Sequence, residues 1–480
     1  MIYPTFEEMR DEVHKTVEHC GEAGGLKVTD PAPWRGALCD RVVETAVFSP
    51  DPEVRGRARF ILKNVSRAMG IHLASIQDLY MAVGRGEAGP FTVPAMNIRG
   101  LSYDTARAFY RAANRTGCGA YLFEIAKSEM VYTDQRPHEY VAVMLGAAIR
   151  EGYTGPVFIQ GDHFQASAKS YFENPEAEVD KLKVLIQEAM AAGFYNIDID
   201  SSTLVVLERE GLSAQQKDNG AVAATLTKFI REHQPAGVTV SVGGEIGEVG
   251  GHNSTVAEFE AFMGEYHASL GRGVTGISKI SVQTGTSHGG VVLPDGSVAK
   301  VKLDFEVLKA ISEAARARYG LGGTVQHGAS TLPDELFHRF AACGAVEVHL
   351  ATGFQNLVYD HPSLPAVFKE HAYSHLDSIC AKERKSGETA EQFYYKTRKK
   401  AFGGPLKREW WSLPEGVRED LGMALEGKFA FLIEQLGVQG TRETVARFVK
   451  ADGPSPDLDA EIAACKTVVV DVPDHNPRAD

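Results

Sequence analysis

Residues able to hold a metal ion or move a proton recur at the ends of β-branched runs in this chain. Asp162 and His163 close PVFIQGDH; Asp198, Asp200 and Ser201 fall in NIDIDSS; Glu245 follows VTVSVGG. His288 follows ISVQTGTS, His327 follows GTVQ, and His349 and Thr352 lie in VEVHLAT. Asn97 and Glu124 stand near the ends of two earlier runs, FTVPAMNI and GAYLFEI. Taken singly, these residues have plainer roles, since Asp198 or Asp200 could cap a following helix and Asp162 could serve a turn. Taken together, three histidines and a glutamate arriving from four strands at one rim make a nitrogen- and oxygen-rich site. Neutral imidazoles suit Zn²⁺ with an open coordination position, which Lewis-acid catalysis requires. Asp162, directly before His163, is the candidate acid/base group, because a carboxylate one residue from a ligand can reach a substrate oxygen beside the metal.

Glycines gather at the same points, in GGEIGEVGGH, GTSHGG and HGAS. Several such loops at one end of a barrel would let backbone N–H groups approach an anion closely.

The elements that must position these residues alternate. Eight short β-rich runs, FTVPAMNI, GAYLFEI, PVFIQGDH, NIDIDSS, VTVSVGGEIG, ISKISVQTG, GTVQHGA and VEVHLAT, are separated by amphipathic stretches such as YDTARAFYRAANRTG and DFEVLKAISEAARARYG. Eight βα units over about 280 residues predict an α/β fold, a (β/α)8 TIM barrel, whose active site lies at the C-terminal ends of the strands. A doubly wound open sheet is the alternative, and the count of units favours the barrel. Residues 1–86 read as an N-terminal helical extension, 87–373 as the catalytic barrel, and 374–480 as a C-terminal helical appendage with a polar tail. The charge run KTRKK in that appendage reads as a solvated helix face.

Composition narrows the partners. The chain has 480 residues, 44% hydrophobic and 24% charged, with a formal net charge of -13, which argues against nucleic acid and leaves room for a local basic pocket. Six cysteines lie far apart with no C-x-x-C spacing and read as reduced thiols. The N-terminus MIYPTFEEMRDEVHK lacks the pattern of a secretory signal, and no apolar run reaches the roughly 18 residues of a spanning helix. A cytoplasmic protein without membrane contact is therefore expected.

At these residues the sequence resembles the class II, zinc-dependent fructose-bisphosphate and tagatose-bisphosphate aldolases. The matching pieces are FTVPAMNI, GDH, IDSS, GGEIGEVGG, TGTSHGG, VKLDFEVLKAI, HGAS and VEVHLAT, in the family's order. The resemblance implies His163, His288 and His327 as ligands of a catalytic zinc ion, and Glu245 as a further ligand when the ion shifts to a buried position. It implies Asp200 as a carboxylate that orients a ligand or serves a second divalent position, and Asp162 as proton donor and acceptor at the substrate C4 oxygen. Gly289, Gly328, Ser330 and Thr352 match the loops that hold a ketose phosphate, where a monovalent cation is common, and Asn97 matches a substrate-proximal asparagine. The implied reaction is reversible retro-aldol cleavage between C3 and C4 of a phosphorylated ketose, such as fructose or tagatose 1,6-bisphosphate, by a homo-oligomer.

Four positions depart from that pattern. His349 stands where the family has an asparagine that contacts the enolate, and Ala351 where it has an aspartate. After GEIGEVGG, His252 and Asn253 replace an acidic loop motif. The departures affect substrate contacts rather than the ligand set. They keep open a ketose-phosphate 4-epimerase working by retro-aldol and aldol steps on the same metal site. A noncatalytic companion subunit is the reading from another class, and it predicts loss of the ligand set, which this sequence retains.

Overall fold

The computed structural model describes residues 2–19, 26–247, 252–285, 293, 303–450 and 453–466. Eight strands form a closed barrel, all neighbours parallel: β1 (Val93–Asn97), β2 (Leu122–Ala126), β3 (Ile159–Gln165), β4 (Asn196–Asp200), β5 (Ser241–Glu245), β6 (Lys279–Ser281), β7 (Thr324–Gln326) and β8 (Glu347–Leu350). β8 pairs with β1, with Glu347 opposite Val93 and Leu350 opposite Met96, which closes the ring. Each strand coincides with one of the eight β-rich runs of the sequence, with β2 extending one residue and β3 two residues past the end of its run.

Burial explains why those runs are so apolar. Every residue of β1, β2 and β4 is buried, because one face of each strand packs on helices and the other on the barrel interior. Side chains alternate in direction, so Ile197 and Ile199 meet the helical layer while Asn196, Asp198 and Asp200 take the other face. The helices between strands begin and end on conventional signals. Asp304 caps Phe305–Tyr319 by accepting from the amides of Glu306 and Val307, and left-handed Gly320 ends that helix.

The interior of this barrel is polar where such barrels ordinarily stack branched apolar residues. Lys279 on β6 donates to Asp198 on β4 (3.0 Å), Glu347 on β8 (2.5 Å) and Gln160 on β3 (2.6 Å). Gln160 in turn donates to Glu347 (2.9 Å) and to Glu124 on β2 (3.1 Å). The network spans strands that are not neighbours in the sheet, so these side chains meet inside the barrel.

The N-terminal extension contains helices Phe6–Val13, Ala37–Phe48, Pro52–Ala68 and Gln77–Gly84. It also contains strands too short to leave a periodic signal: Val17–His19 pairs with Leu26–Val28, and Ile71–Leu73 pairs in parallel with Gly155–Val157. Helix Gln77–Gly84 brings Tyr80 to the interior network, where its hydroxyl donates to Glu347. The C-terminal appendage is helical, and two of its helices show how it attaches. Glu415–Gln435 packs on Ser102–Thr116, Leu436 O accepts from Thr92 N (2.9 Å), and Leu458–Lys466 packs on Pro52–Ala68. At that last contact a Cβ on Gly56 would lie 2.7 Å from the Ile462 backbone, so glycine permits the close approach. None of the helices among the described residues is long and apolar enough to cross a membrane. Cys39, Cys118, Cys343, Cys380 and Cys465 are free thiols.

Candidate active site

Strict alternation along β3 would send Asp162 and His163 to opposite faces. The strand breaks that rule with a register shift between Gly161 and Phe164, and His163 adopts a left-handed backbone with φ +42°. The strain of that conformation is held by the surrounding pairing, and its effect is to turn both side chains into the barrel mouth. Asp162 faces His349, with 3.2 Å between Oδ1 and Nδ1, while His163 Nδ1 meets Asp200 Oδ2 at 3.1 Å. The His163 ring lies edge-on to His327, centroids 4.3 Å apart, and His327 lies 4.1 Å from the His349 ring.

These side chains open into a cavity of about 500 Å³. Of the residues singled out from the sequence, Asn97, Glu124, Asp162, His163, His327, Gly328, Ser330, His349, Ala351 and Thr352 line it. Asp200 and Glu245 stand behind His163, with Glu245 Oε2 at 3.5 Å from its Nδ1. His288 and Gly289 lie outside the described residues. Asn97 donates to Glu129 Oε2 (2.6 Å), and Arg99 pairs with the other oxygen of Glu129 (2.7 Å), so the amide is oriented at the cavity wall. Gly328, left-handed at φ +66°, turns the chain after His327 toward Ser330, whose Oγ accepts from Ala351 N (2.6 Å).

The electrostatics favour a cation. Burial alone would lower the His163 imidazolium, but the carboxylates of Asp162, Asp200 and Glu245 outweigh it and raise its pKa well above the ordinary value. Burial pushes Glu245 up to about 8, with the Asp200 charge adding to it. Asp200 moves the other way despite its burial, because His163, Ser202 and Gln165 all stabilise its anion. Its Oδ1 accepts from Ser202 N (3.1 Å) and Ser202 Oγ (2.6 Å), and its Oδ2 from Gln165 Nε2 (2.5 Å).

The donor set fits a divalent metal ion. Asp162, His163 and His327 offer ligand atoms within 4.8 Å of one another, and so do His163, Asp200 and Glu245. With Asp200 accepting the Nδ1 proton, the Nε2 lone pair of His163 is left for a metal, the arrangement in which a carboxylate fixes a ligand histidine.

The sequence matches the family described as fructose-bisphosphate aldolase class-II over residues 79–402, about two thirds of the chain. This chain belongs to the class II fructose-bisphosphate aldolase family. No curated protein sequence matches it. Among solved structures, one described as a probable tagatose 6 phosphate kinase from Sinorhizobium meliloti 1021 aligns with a TM-score of 0.52 at 16% identity, covering 78% of this chain and 97% of its own. The YdjI aldolase from Escherichia coli K12 aligns at 0.47 with 14% identity, covering 77% of this chain and 99% of its own. A putative fructose-1,6-biphosphate aldolase from Coccidioides immitis aligns at 0.45 with 18% identity and the same coverage. The Sinorhizobium structure shares the fold. The class II family match is what carries the aldolase assignment of the barrel; that family is generally metal-dependent, and the donors above form groups that could hold an ion.

Two features escaped the sequence reading. The interior network of Gln160, Lys279, Glu347 and Tyr80 supports the mouth from below; its signal was a lysine between two isoleucines in ISKIS and a glutamate between valines in VEV, both at buried strand positions. The appendage also reaches the cavity: Lys385, Lys396 and Lys399 line it, and Arg398 is buried against Asp360 (3.0 Å) and Asn356. KTRKK is therefore a wall of the cavity as well as a charged helix end. The i, i+3 spacing of Lys396 and Lys399 places them on one face, which the sequence showed without indicating what that face meets.

Proposed function

We propose that this protein catalyses reversible retro-aldol cleavage of a phosphorylated ketose at the cavity formed by Asp162, His163 and His327. The observation that carries the reading is the convergence of these three residues, from β3 and the loop after β7, on one 500 Å³ cavity in a class II aldolase barrel. A zinc ion held by His163 and His327, with His288 as the third ligand that the family resemblance implies, would supply Lewis-acid polarisation of the ketose carbonyl. Asp200 and Glu245 hold His163 from behind and give an alternative position for the ion.

Asp162 performs the proton transfer. Its carboxylate accepts the proton of the C4 hydroxyl as the C3–C4 bond breaks, the C4 oxygen becomes the aldehyde, and the bond's electron pair passes toward the C2 carbonyl. In the reverse direction Asp162 returns the proton to the new alkoxide. Gly328, Ser330 and Thr352 on one side, with Lys396 and Lys399 on the other, form a wall suited to a phosphate. Asn97 meets the substrate hydroxyls.

An NMR product screen tests the reading. Fructose and tagatose mono- and bisphosphates are incubated with the protein and zinc, with and without chelator. Free triose products that disappear with chelator support the aldolase. A C4-inverted sugar with no released triose makes the protein an epimerase, and no turnover of any of these sugars removes the catalytic reading.

A further inference from the structure

Toward the barrel interior, the cavity is also lined by ligand atoms of which only those of Asp162 take part in the aldol chemistry. His349 Nε2 lies 2.6 Å from Glu347 Oε1, and Glu347 is clamped by Lys279 (2.5 Å) and by the Tyr80 hydroxyl. A carboxylate so held keeps the imidazole proton on Nε2 and turns the Nδ1 lone pair the other way. Nδ1 faces two carboxylate oxygens at close range, 3.0 Å from Glu124 Oε2 and 3.2 Å from Asp162 Oδ1. Glu124 Oε2 is oriented by the Gln160 amide at 3.1 Å.

Ligands at right angles on a divalent cation, each about 2.1 Å from it, are about 3.0 Å apart. The two nitrogen-to-oxygen separations match that spacing, and all three ligand atoms lie within 4.8 Å of one another. Glu124, Asp162 and His349 are 1%, 5% and 6% exposed, so water does little to relieve their charges. Four carboxylates, Glu124, Asp162, Asp198 and Glu347, face Lys279 and His349 in this interior.

We propose that Glu124, Asp162 and His349 form a second divalent-cation site, an inner site adjoining the rim and sharing Asp162 with it. One nitrogen and two carboxylates, with room for water from the cavity, suit a hard cation such as Mn²⁺ more than the histidine-rich rim does. The inner cation offsets the crowded carboxylates and holds Asp162 ionised and aimed at the substrate. The departure of β8 from the family pattern then has a use, because an asparagine in place of His349 would bring a weaker ligand to that point. The proposal depends on the aldolase reading only for the role it gives Asp162.

The test is a titration of the full chain, stripped with chelator, with Mn²⁺ alone, following the six-line EPR signal of free Mn²⁺. Wild type is expected to bind two equivalents, and His349→Gln and Glu124→Gln one each, a twofold fall in bound metal, with circular dichroism confirming that each variant is folded. His327→Gln is expected to remove the other equivalent. One equivalent in wild type, kept by His349→Gln and Glu124→Gln but lost in His327→Gln, overturns the inner site and leaves the rim reading standing. One equivalent lost in His349→Gln but kept in His327→Gln supports the inner site and sinks the rim reading. No Mn²⁺ bound by wild type also overturns the inner site, leaving His349 as a protonated counter-ion, and a parallel Zn²⁺ titration then decides the rim.

Discussion

Replacing Asp200 with asparagine tests how the barrel prepares His163 for a metal. The carboxylate accepts from donors on both oxygens: Ser202 N and Oγ on Oδ1, His163 Nδ1 and Gln165 Nε2 on Oδ2. An asparagine has one accepting oxygen and one NH₂. If its oxygen faces Ser202, the NH₂ points at Gln165 Nε2 and at His163 Nδ1. His163 must then accept at Nδ1 and carry its proton on Nε2, the nitrogen that faces Asp162 and the cavity. If the amide is reversed, its NH₂ opposes the Ser202 backbone N–H instead. Either orientation loses a charge-assisted hydrogen bond worth about 1.5–3 kcal/mol. Loss of a partner that orients a ligand histidine costs about 10- to 100-fold in metal affinity, or about 1.4–2.7 kcal/mol, and the two routes agree. Asp200→Asn should therefore bind zinc about 10- to 100-fold more weakly in competition with a chromophoric chelator, with circular dichroism unchanged. Affinity within threefold of wild type would show that Asp200 does not set the tautomer of His163, and the rim site would lose its main structural support.

Other substitutions separate the remaining roles. Asp162→Asn should lower kcat for the cleaved ketose by about 10²–10⁴ while rim metal content, read in the Zn²⁺ titration, is retained, since it removes the base but not the histidines. Lys399→Met should raise KM for a phosphorylated substrate about tenfold with kcat kept, measured against the same sugar without phosphate, for which KM should not change. Glu461 is buried, which alone would raise its pKa, but Lys63 and His138 hold it down from 4.5 to about 2, a difference worth about 3 kcal/mol. A depressed carboxyl stabilises above its unfolded pKa and loses that contribution as pH falls toward the folded value. Glu461→Gln should accordingly speed hydrogen exchange in helix Leu458–Lys466 by roughly 100-fold at pH 7, with the gap to wild type closing between about pH 4.5 and 2; equal exchange at pH 7 would refute the pairing.

The barrel was legible in the sequence because parallel strands buried on two faces must be apolar and short, and each β-rich run carried that texture up to its polar end. The rim residues were legible for the same reason: polar side chains at the C-terminal ends of such strands have one place to go. The turn at His163 was not legible. Alternation would have separated Asp162 from His163, and only the left-handed residue and the register shift bring them to the same mouth. His349 shows the other limit. Correspondence with the family made it a substrate contact, a reading that considers one strand at a time. Its surroundings come from four others: Glu124 from β2, Asp162 and Gln160 from β3, Asp198 from β4 and Lys279 from β6. A histidine can replace an asparagine there because Glu347, two residues earlier on the same inward face, accepts its proton, and Glu347 can be buried because Lys279 and Tyr80 neutralise and bind it. Tyr80 belongs to the N-terminal extension, as Lys396 and Lys399 belong to the C-terminal one. The segments added to the barrel and the residues changed within it are thus physically coupled, and a variant that reverts His349 to asparagine alone would leave Glu347, Lys279 and Tyr80 arranged for a proton that is no longer offered.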